Sequence, residues 1–205
     1  MSAYVAYFGG FQASIPQVKS WAASAMKQNP GLTIDAYPYP DASSNGADAI
    51  QAFTDNKTHD FAEAVKKIEA SQCDKVFIVG HSSGCAIANA VDAKIKDNKK
   101  IILVVLDGYG PSDAQLARRS TQVWIAKGGA GKSLHHDDLQ DWIKDYNKRA
   151  KEKDRTEVKT FTASSDCTTK LALHFSLVNR VSSNALVKLI ADGYTNCDAN
   201  LCWVV

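Results

Sequence analysis

The chain has 205 residues, of which 45% are hydrophobic and 22% charged, with a formal net charge of +2. That length and composition suit one globular core over residues 1–205, and scattered lysines without neighbouring aromatics exclude a nucleic-acid surface. No run approaches the roughly 18 apolar residues of a membrane span and no basic-then-apolar leader is visible, so a soluble, cytoplasmic protein is expected unless a leader has been trimmed.

Short β-rich runs alternate with segments of helical period along the chain. Ala3–Phe8 (AYVAYF) reads as a strand, 15–27 as an amphipathic helix and Leu32–Tyr37 (LTIDAY) as a second strand. Residues 38–47 (PYPDASSNGA) are rich in turn formers and read as a loop. Phe61, Val65 and Ile68 stand at i, i+4 and i+7 of a helix, followed by the strand 75–79 (KVFIV) and a small-residue helix over 85–91. Strands at 100–106 (KIILVVL) and 121–126 (TQVWIA) come next. A helix marked by Leu139, Trp142, Ile143 and Tyr146 leads to the strand 157–162, and Leu186, Leu189 and Ile190 mark a C-terminal helix ending near Gly193. Strand and helix in alternation predict βαβ units: a single-domain α/β architecture with a mainly parallel sheet and helices on both faces.

Five cysteines are present. Cys73 and Cys85 flank an apolar strand and read as reduced core thiols, whereas Cys197 and Cys202 in the polar tail would pair only in an oxidising compartment.

The stretch that carries chemistry is VFIVGHSSGCAIANAV, residues 76–91. Within it Gly80-His81-Ser82-Ser83-Gly84 has the form G-x-S-x-G, directly after a strand and directly before a helix. A serine on so tight a turn needs glycine beside it, and the following helix aims free N–H groups and its dipole at the serine hydroxyl. At these residues the sequence resembles the α/β-hydrolase superfamily, in which the form G-H-S-S-G is common among lipases and thioesterases.

The resemblance implies a serine nucleophile, Ser82, served by a histidine base and a carboxylate that fixes the tautomer of that base. Five histidines are present. His81 lies inside the elbow and is expected to point elsewhere, His59 precedes the nucleophile strand, and His135 and His136 come too early for the superfamily's order of Ser, acid, His. His174, after the last strand, is the remaining choice. The superfamily's usual acid position, after the strand 121–126, holds no carboxylate at once, but Asp107 ends the strand before it, a place that resembles the one used by synthase thioesterase domains. Asp107 is therefore chosen, with Asp137 or Asp138 in reserve and Asp113 behind them. By the same resemblance the oxyanion donors are the backbone N–H groups of Ser83 and of Phe11 or Gly10.

The resemblance thus implies a hydrolase of the esterase or thioesterase type acting through an acyl-enzyme on Ser82, with no cofactor and no metal. Its substrate is a small-molecule ester or thioester of a small or extended acyl group, free or presented on a carrier; neither nucleic acid nor membrane is a partner. The span 108–120 is too short for a lid, so an open site lined by Phe8, Phe11, Tyr109 and Trp124 is expected. Two other readings compete with it. Residues 126–133 (AKGGAGKS) follow a relaxed P-loop pattern that would bind a nucleotide, and a hydrolase fold can also serve as a non-catalytic binding module. His135, His136, Asp137 and Asp138 have metal-ligand chemistry, but adjacent residues rarely converge on one ion, and the aspartates suit a helix start.

Overall fold

The computed structural model describes residues 2–11, 13–29, 31–40, 46–55, 60–96, 101–118, 120–128, 131–151, 158–162 and 169–178. The expected helix around Leu186, Leu189 and Ile190, His59, and the pair Cys197 and Cys202 lie outside the described residues. Cys73 and Cys85 are free thiols.

Six strands run parallel in the order β2-β1-β3-β4-β5-β7: β1 Ala3–Phe8, β2 Leu32–Tyr37, β3 Lys75–His81, β4 Ile101–Leu106, β5 Ser120–Gly128 and β7 Val158–Thr162. A two-residue strand, β6 Gly131–Lys132, pairs antiparallel with the end of β5. The helices are α1 Ile15–Gln28, α2 Gly46–Asp55, α3 Asp60–Ala70, α4 Gly84–Lys94, α5 Asp113–Arg118, α6 His136–Arg149 and α7 Lys170–Ser176.

The central strands are apolar almost without interruption because both of their faces are covered. Side chains alternate between those faces. On one, Ala3, Val5 and Tyr7 of β1 meet Phe77, Val79, Val104, Leu106 and Trp124, covered by Val18, Trp21, Ala22 and Ala25 of α1 and Leu173 of α7. On the other, Tyr4, Ala6 and Phe8 meet Ile78 and Leu103 under Ala64 and Ile68 of α3 and Ile87, Ala88 and Val91 of α4. Leu139 and Ile143 of α6 extend this second layer over Val105, Val123 and Ile125. In α1 the buried positions fall at i, i+3, i+4 and i+7, and Pro16 starts the helix where its missing N–H costs nothing.

After β1 the chain moves outward to β2 and then returns to β3 on the other side of β1. Helices α1 and α4 consequently leave from neighbouring strands toward opposite faces, which opens a crevice at the C-terminal ends of β1 and β3. The elbow stands in that crevice.

Three helices, α2, α5 and the seven-residue α7, were not expected from the sequence. The helix α2 begins at the end of the turn-rich stretch, where Gly46 and the preceding serines and asparagine mask its start. The helix α5 is a six-residue segment between β4 and β5, too short to show a period.

Candidate functional site at the sheet's C-terminal edge

Ser82 follows β3 with φ 55°, and Asp107 follows β4 with φ 43°. Among the described residues these are the two non-glycine positions with positive φ. For a serine the left-handed region costs on the order of 1–2 kcal/mol, so the fold has to hold it there. The Ser82 N–H donates to the Leu106 carbonyl at 3.0 Å, and the Ser82 carbonyl accepts from Cys85 N–H at 3.1 Å. Glycines on either side leave room for this turn. A Cβ on Gly80 would stand 2.8 Å from the Cys85 nitrogen, and one on Gly84 2.5 Å from the Gly9 carbonyl oxygen, with the Phe8 carbonyl closer still. Backbone atoms on both sides cannot give way, so the G-x-S-x-G spacing is a steric requirement of this elbow.

Asp107 and His174 are brought together although 67 residues separate them. His174, on α7, donates from Nδ1 to Asp107 Oδ2 at 2.5 Å. The other carboxylate oxygen accepts from Ser133 Oγ at 2.8 Å and from the His135 N–H at 3.2 Å. Asp107 is fully buried and His174 is 2% exposed. Burial alone would raise the Asp107 carboxyl, but the hydrogen bond and charge of His174, then the Ser133 bond, outweigh it and hold the group below its ordinary value. It is therefore a buried carboxylate, saturated with donors. The helix that carries His174 is short, and the Thr169 side chain caps it by accepting from Ala172 N–H at 3.0 Å.

Ser82 and His174 line one cavity of about 520 Å³, walled by β1, α1 and α7. Gly10 and Phe11, in the loop after β1, stand at its edge together with Ser82. The Phe11 N–H donates to Ser83 Oγ at 2.7 Å, so the Ser83 hydroxyl ties this loop to the elbow. Ser83 is the N-cap of α4, and its own N–H belongs to the helix start that has no intrahelical partner.

His81 does not point away from the site. It is 3% exposed, its ring lies 4.4 Å from that of His174, and its Nε2–H donates to the His174 carbonyl at 3.1 Å. Burial first, then repulsion by His174, lowers its pKa to about 3, so the ring is neutral. Ser133, His135 and His81 are neighbours of the Asp107–His174 pair that sequence reasoning passed over. Ser133 and His135 come from the far side of β5, and no spacing in the chain announces that meeting.

The expected wall needs correction. Phe8 points to the opposite face of the sheet, as strand alternation dictates, and packs on Tyr37 and Phe53. Trp124 faces the right side but is sealed in the core, its indole N–H bonded to Gln122. Tyr109 is 52% exposed on the loop after Asp107 and is not part of the cavity. Phe11 does line it, with Tyr7, Val18, Trp21, Leu134, Leu171, Phe175 and Val178.

The reserve acids lie elsewhere. Asp137 is exposed and pairs with Lys132 and His136, Asp138 is more exposed still, and Asp113 pairs with Arg149. The described residues of the P-loop-like stretch do not lead from a strand straight into a helix: 126–128 end β5, 131–132 form β6, Ser133 bonds Asp107, and α6 begins only at His136. Among the described residues no group of three His, Cys, Asp or Glu side chains is placed to hold a metal. Among them, too, no helix is long and apolar enough to cross a membrane.

No family profile matches the sequence, and no curated protein matches it. Solved structures do. A CIB-like hydrolase from Thermoplasma acidophilum matches with a TM-score of 0.54 over 95% of this chain and 87% of its own, at 13% identity. The Pyrococcus furiosus esterase Pf2001 gives 0.56 over 95% and 84%, at 11% identity. A dienelactone hydrolase-like promiscuous phosphotriesterase, P91, from metagenomic libraries gives 0.51 over 95% and 87%, at 14% identity. The chain has the α/β-hydrolase fold. Within that fold Ser82 occupies the turn after β3 and Asp107 the turn after β4, so both strained residues project from the sheet edge where the crevice opens.

Proposed function

We propose that the protein is a serine hydrolase cleaving a carboxylic ester or thioester through an acyl-enzyme on Ser82. The observation that carries this reading is the coincidence of strain with chemistry: a serine and an aspartate held at positive φ on adjacent strands, with a histidine bonded to that aspartate beside the serine's cavity. In this reading His174 takes the Ser82 hydroxyl proton as the oxygen attacks the carbonyl carbon. Asp107 keeps the His174 proton on Nδ1, leaves its Nε2 free to accept, and stabilises the imidazolium that results. The Ser83 N–H at the start of α4 and the Phe11 N–H stabilise the oxyanion, the latter after exchanging its Ser83 Oγ partner for the substrate oxygen. His174 returns the proton to the departing alcohol or thiol. It then deprotonates water, which attacks the acyl-enzyme carbonyl, and returns that proton to Ser82 Oγ as the acid departs.

Labelling with a fluorophosphonate probe, followed by intact-mass measurement, tests the reading. One adduct is expected on the native chain, none on Ser82→Ala, and a strongly slowed reaction on His174→Ala. A native chain that stays unlabelled beside a labelled control hydrolase overturns it.

A further inference from the structure

His174 is carried on a helix too short to hold its own place. The helix α7 has seven residues, below the length at which an isolated helix is stable in water. The Thr169 cap fixes its start, and Leu173 with the following Leu177 anchors one side in the core. Its last turn is held differently. The final carbonyls of a helix have no partner inside it, and the Val178 N–H, which a continuing helix would give to His174, goes to the Phe175 carbonyl at 3.1 Å. The His174 carbonyl is instead met by His81 Nε2 at 3.1 Å, from 93 residues away in the chain. A carbonyl only accepts, so in the neutral His81 ring Nε2 carries the proton and Nδ1 does not. Burial, then the nearness of His174, keeps that ring neutral.

His81 ends β3, in register with Leu106 of β4, and its own peptide bond leads to Ser82. It therefore moves with the elbow, which the sheet holds rigidly. Its ring lies 4.4 Å from the His174 ring, tilted by 36°, and 6.0 Å from that of Phe175. The Asp107 bond fixes how the His174 ring is turned, but the distance from that ring to Ser82 also depends on where the backbone beneath it sits. Proton transfer needs the two within hydrogen-bond reach, and a displacement of about 1 Å costs on the order of 10²-fold in rate.

We propose that His81 is a positioning residue: by donating its Nε2–H to the His174 carbonyl, it ties the last turn of α7 to the elbow and sets the distance between the base and Ser82. The proposal rests on Ser82 and His174 acting as nucleophile and base. Histidine suits the task because it offers a donor at the far end of a flat ring and, while neutral, adds no charge against the imidazolium that forms on His174.

The test uses the full chain, p-nitrophenyl esters and the fluorophosphonate probe. His81→Phe keeps a ring and removes the donor, whereas His81→Gln keeps a donor near the place of Nε2 and removes the ring. In His81→Phe, kcat is expected to fall by about tenfold to hundredfold with KM changed by less than about twofold, and labelling of Ser82 to slow by the same factor as kcat. His81→Gln is expected to return kcat to within about fivefold of the native value, which a loss of packing alone would not allow. In the native chain, the ring nitrogen NMR shifts of His81 are expected to be those of the Nε2–H tautomer, a readout that stands even if a variant fails to fold. Native kcat in a folded His81→Phe overturns the proposal, as does an equal loss in both variants or an Nδ1–H tautomer. A rise in KM with kcat unchanged also overturns it, since His81 would then act only as part of the cavity wall. Each of these failures leaves labelling of native Ser82, and with it the hydrolase reading, standing; an unlabelled native Ser82 removes both.

Discussion

Replacing Asp107 by asparagine isolates the tautomer of His174 from the rest of the site. The two side chains are nearly isosteric, and asparagine tolerates the left-handed region as readily as aspartate, so the turn at φ 43° is kept. In the native site Oδ1 accepts from Ser133 and from the His135 N–H, while Oδ2 accepts from His174. An amide has one oxygen, and two donors already claim the Oδ1 position. The NH2 group is thereby turned toward His174 Nδ1, which must become the acceptor and move its proton to Nε2. A histidine protonated on Nε2 cannot take the proton of Ser82. The expected loss in kcat is about 10⁴-fold, or ~5 kcal/mol of transition-state stabilisation, with a much smaller cost to folding of about 1–3 kcal/mol as a charge-assisted bond becomes a neutral one. Initial rates of p-nitrophenyl ester hydrolysis at neutral pH, read beside a thermal melt, separate the two effects. A folded variant that keeps a tenth or more of the native rate refutes the tautomer argument.

Three further expectations follow from the same geometry. Ser83→Ala frees the loop after β1 from its 2.7 Å tether and should lower kcat/KM by about fivefold to tenfold; an increase would show that the hydroxyl blocks the Phe11 N–H instead of positioning it. His81 has a folded pKa of about 3 against roughly 6.5 unfolded, so the unfolded state binds the extra proton: stability is complete above about pH 6.5 and falls by up to ~1.4 kcal/mol per unit as pH drops toward 3. His81→Phe should flatten that part of the urea-unfolding profile, and an unchanged acid slope would assign it to other groups. Gly84→Ala drives a Cβ into the Gly9 and Phe8 carbonyls and should cost about 3 kcal/mol by urea unfolding, whereas a loss under about 1 kcal/mol would mean that the elbow is softer than its contacts imply.

What the sequence determined by itself was whatever depends on neighbours along the chain. Uninterrupted apolar runs such as IILVVL mark strands covered on both faces, the period of Val18, Trp21, Ala22 and Ala25 marks α1, and G-H-S-S-G between strand and helix marks the elbow, because the glycines answer clashes within a few residues of Ser82. Asp107 was legible as the end of β4, and His174 as the histidine after the last strand. Tertiary structure alone decided what surrounds them. Strand alternation sent Phe8 to the far face and Tyr7 to the cavity, a difference of one residue that composition cannot express. The carboxylate's remaining partners, Ser133 and the His135 N–H, and the turning of His81 onto the His174 carbonyl depend on where β5, α6 and α7 pack. Hydrogen bonds between residues tens of positions apart leave no period in a sequence, since they are selected by distance in space and the chain records only order.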